Sequence, residues 1–356
     1  MASYQSQTVG IMSDSTLPSL MMWNWQQSDW PNFTWDEARL RKAEQEFPVG
    51  AGVLSGMLKH LDADDQQQFT IETISTEALT TSEIEGEILD RASVQSSVRR
   101  LLGLTSDNRR VAPAERAISE MMVNLYSSFA DPLSHEVLFS WHWTLFGERG
   151  NLSSTGEYRT SNEPMQVISG AIAAPKVHFE GPPSSRVPKE MTQFLAWFNR
   201  TAPSGEDPLP TLTRAGIAHV YFESIHPFED GNGRIGRGIA EKVLAQSFGQ
   251  PTLTGLAGVI LSKRKAYYRA LEEANKDNEL TAWLAWFAGM AIEAQRRTIA
   301  RLEFLIDKSK LMERMRGKLN RRQEEALLRM LREGPDGFKG GLSATNYISI
   351  TGASAA

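Results

Sequence analysis

Most of the side chains that could carry out chemistry in this chain lie in twelve consecutive residues, His226 to Arg237. They read His-Pro-Phe-Glu-Asp-Gly-Asn-Gly-Arg-Ile-Gly-Arg. His226 is the one group of this stretch whose unperturbed pKa lies near neutrality, which suits a general base. Asp230 offers oxygen ligands of the kind that Mg²⁺ takes together with waters and substrate phosphates. A lone His-Pro-Phe or Gly-Asn-Gly would indicate a plain turn, but the combination indicates group transfer.

Two helices are predicted to hold this stretch between them. Ahead of it, Leu212 to Phe222 mixes apolar and polar residues at helical spacing. Behind it, apolar residues recur at the spacing of a second helix: Ile235, Ile239, Val243 and Leu244. The turn from Gly231 to Gly233 would open that second helix, whose free N–H groups form a ready anion site. Arg234 and Arg237 are three residues apart and can both reach phosphate oxygens. A polyphosphate cradle beside a base points to transfer from a nucleotide to a hydroxyl.

The same twelve residues resemble the signature of the Fic family, His-Pro-Phe-x-Asp/Glu-Gly-Asn-Gly-Arg-x-x-Arg, and match every fixed position. The resemblance implies an enzyme that cleaves ATP at its α-phosphate, transfers AMP to a Ser, Thr or Tyr hydroxyl of a protein and releases pyrophosphate. By this resemblance His226 deprotonates the hydroxyl, Asp230 holds Mg²⁺ on the α and β phosphates, and Phe228 anchors the loop in the core. The remaining positions would bind phosphates: Gly231, Asn232, Gly233 and Arg234 as the cradle, and Arg237 on the γ-phosphate.

A second motif lies at the end of an earlier predicted helix, Asp64 to Glu85, which reads Thr-Ser-Glu-Ile-Glu-Gly from Thr81. On its own this is a solvated acidic helix end followed by a glycine stop, Gly86. It also resembles the inhibitory motif of the Fic family, Ser/Thr-x-x-x-Glu-Gly/Asn. The resemblance implies that Glu85 pairs with Arg237 and denies the γ-phosphate its arginine, and an Arg–carboxylate pair is strong enough to compete. Glu85 could instead orient a water that removes AMP from modified targets.

The segment from Gly147 to Pro188 is the least helical, and its two β-like runs predict a surface hairpin. In the Fic family a hairpin flap at this place holds the target segment as an added strand, so the resemblance gives that role to about Val167 to Glu180. Further along the chain, a Tyr-Tyr pair and an asparagine resemble the adenosine pocket of the family. The residues expected at the nucleotide are Val177, His178, Phe179 and Glu180 from the flap, and Tyr267, Tyr268 and Asn275, with Leu271 behind them.

Composition excludes several classes of protein. The 356 residues are 41% hydrophobic and 23% charged, which is ordinary for a globular protein with two or three domains. No apolar run reaches about eighteen residues, the N-terminus lacks the pattern of a secretory signal, and cysteine is absent. We therefore predict a cytoplasmic protein with no membrane span and no disulfides. The net charge of −5 argues against general nucleic-acid affinity.

Three regions are predicted along the chain. Residues 1–110 form an N-terminal helical region with the inhibitory helix at about 64–86, residues 111–290 form the Fic core, and residues 291–356 hold a long helix and an incomplete winged-helix region. The predicted fold class is all-α: a Fic-type helical core with a small β-hairpin flap, an N-terminal helical extension and a partial C-terminal winged helix-turn-helix.

Both ends of the chain leave alternatives open. Near the N-terminus four tryptophans could form a peptide-binding face or pack against the main body: Trp23, Trp25, Trp30 and Trp35. Thr34, with Glu37 three residues later, predicts a capping box for a helix that runs to about His60. The basic stretch from Arg296 to Arg322 is either a solvated helix face or part of a DNA-binding unit, because the residues after it resemble the start of a winged helix-turn-helix. The sequence ends where the recognition helix would begin.

Three functions remain open on the sequence. The first is an autoinhibited protein adenylyltransferase that uses ATP and Mg²⁺, binds its protein target through the flap and is controlled by a homodimer contact over Glu85. The second is removal of AMP by a water that Glu85 positions. The third is an ATP-sensing regulator that binds DNA through a completed winged helix. A phosphate-transferring kinase is disfavoured, because neither a P-loop nor a kinase signature is present.

Overall fold

The computed structural model describes residues 5–6, 22–105, 107, 109–150, 152–171, 174–251, 254–336 and 341–352. Over these residues the chain is helical apart from loops and one small sheet, so the all-α prediction with a hairpin is confirmed. None of the helices in these ranges is long and apolar enough to cross a membrane. Two predicted features fall outside the described residues: the hairpin tip at 172–173, and the winged-helix residues 353–356.

Five of the described helices precede the hairpin. They are α1 (Glu37–Lys59), α2 (Ala63–Ile84), α3 (Arg91–Leu101), α4 (Pro113–Ser127) and α5 (His135–Phe146). The start of α2 is fixed by Asp62, whose side chain accepts a hydrogen bond from Asp65 N at 2.8 Å. Its end lies where the sequence predicted it, with Glu85 at the C-cap and Gly86 at a φ of 88°. The predicted inhibitory motif therefore forms the last turn of α2 and the residues just after it.

The start of α1 differs from the predicted capping box. Asp36 caps this helix in place of Thr34, and its side chain accepts from Ala38 N at 2.9 Å. Thr34 instead pairs through its backbone with Asn278 and Leu280, at 2.9 and 2.8 Å. Because this pairing needs an extended backbone at Thr34, the helix begins two residues later than a Thr34 cap would allow.

A small antiparallel sheet stands beside the helices. Its strands are β1 (Gln5–Ser6), β2 (Gln166–Ala171) and β3 (Ala174–Glu180), in the order β1-β2-β3. Trp23 and Trp25 pack with Phe179 of β3, and Trp25 Nε1 donates to Glu180 O at 2.7 Å. Trp30 packs at the edge of both this cluster and the main core. The contacts thus favour the interpretation that the N-terminal tryptophans pack against the body and the hairpin.

Eight of the described helices follow the hairpin. They are α6 (Val187–Arg200), α7 (Thr211–Ile225), α8 (Asn232–Phe248), α9 (Leu256–Ser262), α10 (Arg264–Ala274), α11 (Thr281–Met315), α12 (Arg321–Met330) and α13 (Ala344–Thr351). The domain boundary that we predicted at 290/291 falls inside α11. Since α11 packs along α1 and against α7 and α9, the N-terminal helices and the core share it.

The helices α7 and α8 form the centre of the molecule. Every residue of α7 from Leu212 to Ile225 is buried, as are most of the residues of α8. Burial of each large apolar side chain here contributes about 1.5–3 kcal/mol. The loop that joins the two helices, residues 226–231, is therefore held at both ends by the best-packed part of the core. The end of α2 also contacts the start of α8.

Candidate active site

The loop between α7 and α8 has a backbone that side chains lock in place. His226 adopts a left-handed conformation with φ 48° and ψ 61°, which is strained for a residue other than glycine. Gly231, at φ 82°, makes the turn into α8. The Asn232 side chain accepts from Phe228 N at 3.0 Å and donates to Phe228 O at 2.8 Å. The Asn232 side chain therefore fixes the loop, and only the backbone N–H of this residue is left to bind an anion.

Phe228 anchors the loop in the core, as the family resemblance implied. Its ring is fully buried and stacks on His142 with the centroids 4.2 Å apart and the planes at 8°. Gly156 N donates to His142 Nδ1 at 2.9 Å. Burial lowers the pKa of His142 to about 4, so the imidazole is neutral and stacks without the cost of a buried charge. The loop is therefore tied to α5 and to the segment after it.

Arg159 holds the backbone of the loop from the side, a role that the sequence did not predict. Its side chain donates to His226 O at 2.8 Å, to Pro182 O at 2.5 Å and to Ile225 O at 3.4 Å, and its own N–H donates to Pro227 O at 2.9 Å. The side chain is 4% exposed, and burial lowers its pKa to about 10. The sequence Gly-Glu-Tyr-Arg, which ends at Arg159, gives no signal for this role, because its backbone partners lie far along the chain and are brought together only by the fold.

A cavity of about 470 Å³ opens over this loop. Its volume is in the range of small-molecule sites. Most of the residues predicted to bind the nucleotide lie on its wall: His226, Asp230, Gly231, Asn232, Gly233, Arg234, Arg237, His178, Phe179, Tyr267, Tyr268 and Asn275. Glu85 lies on the same wall. The structure also adds wall residues that the sequence did not single out: Glu87, Arg149, Glu223 and Glu272.

Val177 and Glu180, which we had expected at the nucleotide, lie outside the cavity wall. Val177 packs against the Trp23, Trp25 and Phe179 cluster. The Glu180 carboxylate accepts from Gln166 Nε2 at 2.8 Å across the hairpin. These contacts hold both side chains away from the cavity, so the flap contributes only His178 and Phe179 of the four residues that we had predicted.

The hairpin is fastened over the cavity through His178. Its Nδ1 lies 2.7 Å from Glu272 Oε2 on α10, and its Nε2 lies 2.6 Å from Ser169 Oγ on β2. His178 Nδ1 and the Glu272 carboxylate form an ion pair when the imidazole is protonated. The pKa of Glu272 is lowered, because the hydrogen bond and charge of His178 outweigh partial burial. The flap is thus held in one position against α10.

His226 lies on the cavity wall with its ring largely buried. Its Nδ1 is 3.3 Å from Glu223 O and 3.8 Å from Glu223 Oε2. Burial, together with the nearby Arg159, lowers the pKa of His226 well below its ordinary value. The imidazole is therefore neutral near pH 7 and able to accept a proton. Nδ1 faces the protein, which leaves Nε2 as the nitrogen for a substrate.

Arg237 is paired with Glu85 inside the cavity. Its Nη2 donates to Glu85 Oε1 at 2.7 Å and to Thr81 O at 2.9 Å, and its Nε donates to Thr81 Oγ1 at 2.8 Å. Although burial disfavours the charge, Glu85 raises the pKa of Arg237 above its ordinary value. A Cβ added to Gly233 would lie 2.3 Å from Glu85 Oε1. The carboxylate therefore rests directly on the first turn of α8, where an anion is favoured.

The two signature arginines retain donors that an anion could use. Arg237 Nη1 and Arg234 Nε are buried, and neither has a hydrogen-bond partner among the residues that the structure describes. Arg234 Nη1 donates to Glu87 Oε2 at 3.0 Å, and its guanidinium lies 5.0 Å from the Phe146 ring. Buried unpaired N–H groups are costly unless a ligand satisfies them. Two such groups beside a helix N-terminus fit a polyphosphate ligand.

The far end of the cavity is aromatic and joins α10 to α2. Tyr267 is buried, and its hydroxyl lies 2.8 Å from His219 Nε2. The Tyr268 hydroxyl donates to Ile84 O at 3.3 Å. Asn275 Oδ1 accepts from Ser224 Oγ at 3.0 Å. This end offers ring faces and amide groups of the kind that bind a purine nucleoside.

Asp230 is the one predicted metal ligand. Its carboxylate lies on the cavity wall, is half-exposed, and accepts from Gly231 N at 2.5 Å. Over the described residues no group of three or more His, Cys, Asp or Glu side chains could hold a metal ion by itself. A single carboxylate beside a phosphate cradle fits Mg²⁺, which takes its remaining ligands from phosphates and water.

Comparison with known families identifies the segment that carries this site. Residues 132–244 match the Fic/DOC family. Residues 23–104, which include α1, α2 and α3, match a domain of unknown function, DUF4172. The Fic/DOC match runs from just before α5 through most of α8 and contains the whole signature loop. The chain therefore carries a Fic/DOC domain, which contains the candidate site.

Two curated relatives resemble the chain over part of its length. A probable protein adenylyltransferase, aq_aa38, of Aquifex aeolicus is 33% identical over 119 residues, which are 33% of this chain and 31% of the relative. The protein adenylyltransferase fic-1 of Caenorhabditis elegans is 26% identical over 171 residues, which are 48% of this chain and 29% of the relative. The chain thus spans about a third of the length of the curated relatives it matches.

Solved structures share the fold. A Fic family protein from Desulfovibrio desulfuricans G20 superposes with a TM-score of 0.54 at 22% identity, over 88% of this chain and 85% of that one. Fic-1 of C. elegans gives a TM-score of 0.53 at 20% identity, over 75% of each chain. At these identities the likeness concerns the fold, and it extends the all-α Fic architecture to most of the chain.

Proposed function

We propose that this protein is an autoinhibited protein adenylyltransferase, which transfers AMP from ATP to a Ser, Thr or Tyr hydroxyl of a target protein. The observation that carries the proposal is one cavity wall on which a neutral imidazole, a half-exposed carboxylate and an anion cradle with unpaired arginine donors stand side by side. The curated relatives are named protein adenylyltransferases, which supports the same reaction.

In the proposed reaction the oxygen of the target hydroxyl attacks the α-phosphorus of ATP. The new bond joins that oxygen to phosphorus, the bond between the α-phosphorus and the α,β-bridging oxygen breaks, and pyrophosphate leaves. His226 Nε2 takes the hydroxyl proton, which its lowered pKa permits because the ring is neutral. The first turn of α8 and Arg234 hold the phosphates in line, so positioning and charge stabilisation supply most of the rate.

Asp230 would hold Mg²⁺ in this reaction. When bound, the ion neutralises charge on the α and β phosphates. Asp230 would supply one oxygen ligand, and its hydrogen bond to Gly231 N keeps the carboxylate next to the cradle. The adenine would lie at the aromatic end, near Tyr268 and Asn275, so that the triphosphate points toward Arg237.

Glu85 is proposed to inhibit the enzyme by occupying the place of the γ-phosphate. Its carboxylate is bound to Arg237 at 2.7 Å and lies against Gly233, which is where the last phosphate would sit. ATP that binds beside Glu85 would present its α-phosphate at the wrong angle, so transfer would be slow. The pair is mostly buried on the arginine side, where such an interaction is screened little by salt.

The target protein is proposed to add a strand to the hairpin. β1 already pairs with β2 at Val167 and Ile168, so a target would pair along β3 or replace β1. Backbone pairing registers a hydroxyl against His226 without reading the target sequence.

The test is label transfer from α-labelled ATP in a cell lysate, with pyrophosphate measured in parallel. We expect a protein band labelled by the Glu85→Gly variant, weakly by the wild type and not by His226→Ala, with one pyrophosphate released per label. Removal of AMP is the competing reaction. If Glu85→Gly abolishes release of AMP from a pre-labelled target and adds none, Glu85 positions the hydrolytic water instead.

Glu223 should give the transfer reaction a pH dependence. Burial raises the pKa of this carboxyl to about 8, and its Oε2 is 3.8 Å from His226 Nδ1. Below that pH the carboxyl is neutral; above it the new negative charge makes His226 a stronger base. Removing Glu85 takes away a charge that also raises this pKa, so in the Glu85→Gly background the rate should rise with pH at a value below about 8, and Glu223→Gln should lose that rise. Glu190→Gln, at a buried carboxylate away from the cavity, is the control, and equal profiles for both variants would contradict the assignment.

Arg159 should affect turnover more than ATP binding. Arg159→Lys removes donors from three backbone carbonyls around the loop, which costs about 1–3 kcal/mol and lets His226 move. In the Glu85→Gly background we expect kcat to fall about tenfold or more with little change in KM for ATP. The control is Arg214→Lys, which loosens a buried arginine bound to Phe198 O far from the site. A lower melting temperature with normal kcat in both variants would reduce Arg159 to a stabilising role.

A further inference from the structure

Glu87 bridges two arginines at the mouth of the cradle. Its Oε1 is 2.8 Å from Arg149 Nη1, and its Oε2 is 3.0 Å from Arg234 Nη1. It follows Glu85 by two residues, across the turn at Gly86. One short segment after α2 thus delivers two carboxylates to the cavity, Glu85 to one signature arginine and Glu87 to the other.

Arg149 lies on the cavity wall, although the Fic/DOC signature does not include it. It sits just after α5, and its guanidinium lies 5.7 Å from the Phe146 ring, the same ring that Arg234 approaches at 5.0 Å. The two cations share one aromatic side chain and one carboxylate. Among the described residues Arg149 forms no ion pair other than that with Glu87. Without an anion between them the two arginines would repel each other.

The neighbouring Arg116–Glu148 pair is an ordinary surface ion pair and serves as a comparison for the Arg149–Glu87 pair. Its side chains are 42% and 64% exposed, whereas those of Arg149 and Glu87 are 24% and 27% exposed. Neither Arg116 nor Glu148 lies on the wall of the cavity over the loop. Exposed pairs of that kind contribute little. The Arg149–Glu87 pair differs because it faces a ligand-sized space and continues into the buried Arg234.

We propose that Arg149 is a further triphosphate-binding residue of this site. We also propose that Glu87 is a second inhibitory carboxylate, which pairs with Arg149 and Arg234 and so keeps them from phosphate. This rests on the proposed function. In the inhibited state Glu85 and Glu87 stand in for phosphate oxygens on Arg237, Arg234 and Arg149. In the productive complex the triphosphate takes the place of both carboxylates, and its phosphates bridge Arg234 and Arg149 as Glu87 does in the inhibited state. When Glu85 alone is removed, Arg234 and Arg149 remain paired with Glu87.

ATP binding measured by calorimetry tests this proposal without turnover, in a His226→Ala background. Relative to Glu85→Gly, adding Glu87→Gln should tighten ATP binding about fivefold to tenfold. Adding Arg149→Gln to the Glu85→Gly, Glu87→Gln variant should weaken ATP binding about tenfold or more, because a charge-assisted contact to phosphate is lost. Arg149→Lys keeps the charge and should lose only part of the affinity. The matched controls are Glu148→Gln and Arg116→Gln, which should leave ATP binding unchanged.

Two results would overturn the proposal. The first is that Glu87→Gln changes ATP affinity no more than Glu148→Gln does. The second is that Arg149→Gln leaves the affinity unchanged in a variant whose melting temperature shows it to be folded. Either result would leave the adenylyltransferase proposal standing if Glu85→Gly still binds ATP. If no variant binds ATP, both proposals fail together.

Discussion

Replacing His226 with alanine should lower the rate of AMP transfer by about 10²- to 10⁴-fold, the usual contribution of a positioned general base. The reason is specific to this ring: it is neutral, its Nδ1 faces Glu223 and its Nε2 is left for the substrate. ATP binding should hardly change, because the cradle is built from α8 and the arginines. The measurement is single-turnover transfer from α-labelled ATP in the Glu85→Gly background.

Two companion variants separate chemistry from folding at this position. His226 has a left-handed backbone, which alanine adopts at a cost of about 1 kcal/mol or more, whereas asparagine tolerates it. His226→Asn should therefore fold as the wild type does and be as inactive as His226→Ala. His60→Ala, at an exposed histidine after α1, should keep full activity. Substantial transfer by His226→Asn would show that another group takes the proton.

Removing the Glu85 carboxylate should raise transfer by about 10- to 100-fold, the range of a typical coupling energy between two ligands of one site. Glu85 and the γ-phosphate compete for the same Arg237 donors and for the same first turn of α8. Releasing the arginine lets the triphosphate reach its full length, so that pyrophosphate is in line to leave. The measurement is the initial rate of target labelling at saturating ATP for Glu85→Gly against wild type.

The control for this variant is Glu83→Gly, at an exposed glutamate in the same last turn of α2. Both changes put a glycine near the helix end, at a similar cost of about 1 kcal/mol. Only the change at Glu85 should activate. Glu85→Gln, which keeps the shape and removes the charge, should activate partly because the Arg237 contact weakens. Equal rates for Glu83→Gly and Glu85→Gly would remove Glu85 from the account of inhibition.

Much of the site could be predicted from the sequence because its parts are local. A base, an acid, a glycine turn and two arginines within one loop need only the flanking helices to be brought together, and periodicity predicts those helices. The structure places His226, Asp230, Arg234 and Arg237 on one wall, as expected. The pair between Glu85 and Arg237 is a long-range contact, and it was expected only because of a family resemblance.

The parts that the sequence did not predict are long-range contacts or choices between nearby residues. Arg159 acts on the backbone carbonyls of a loop far along the chain, so no spacing rule could assign it. Glu87 and Arg149 meet only when α2 and α5 both pack against α8. Asp36 replaces Thr34 as the cap of α1 because tertiary pairing at Thr34 overrides the local pattern. In β3, Val177 packs into the tryptophan cluster and Glu180 pairs with Gln166 across the hairpin, so neither lines the cavity.

Labelling ATP at two different phosphates shows directly whether AMP is the group that this protein transfers. The Glu85→Gly variant is incubated with a target lysate and ATP labelled at either the α- or the γ-phosphate, and the protein-bound label is counted. We expect the α-label to stay on a target hydroxyl, the γ-label to leave in pyrophosphate, and His226→Asn to transfer neither. Protein-bound γ-label, or α-label transfer that persists without His226, would contradict this expectation.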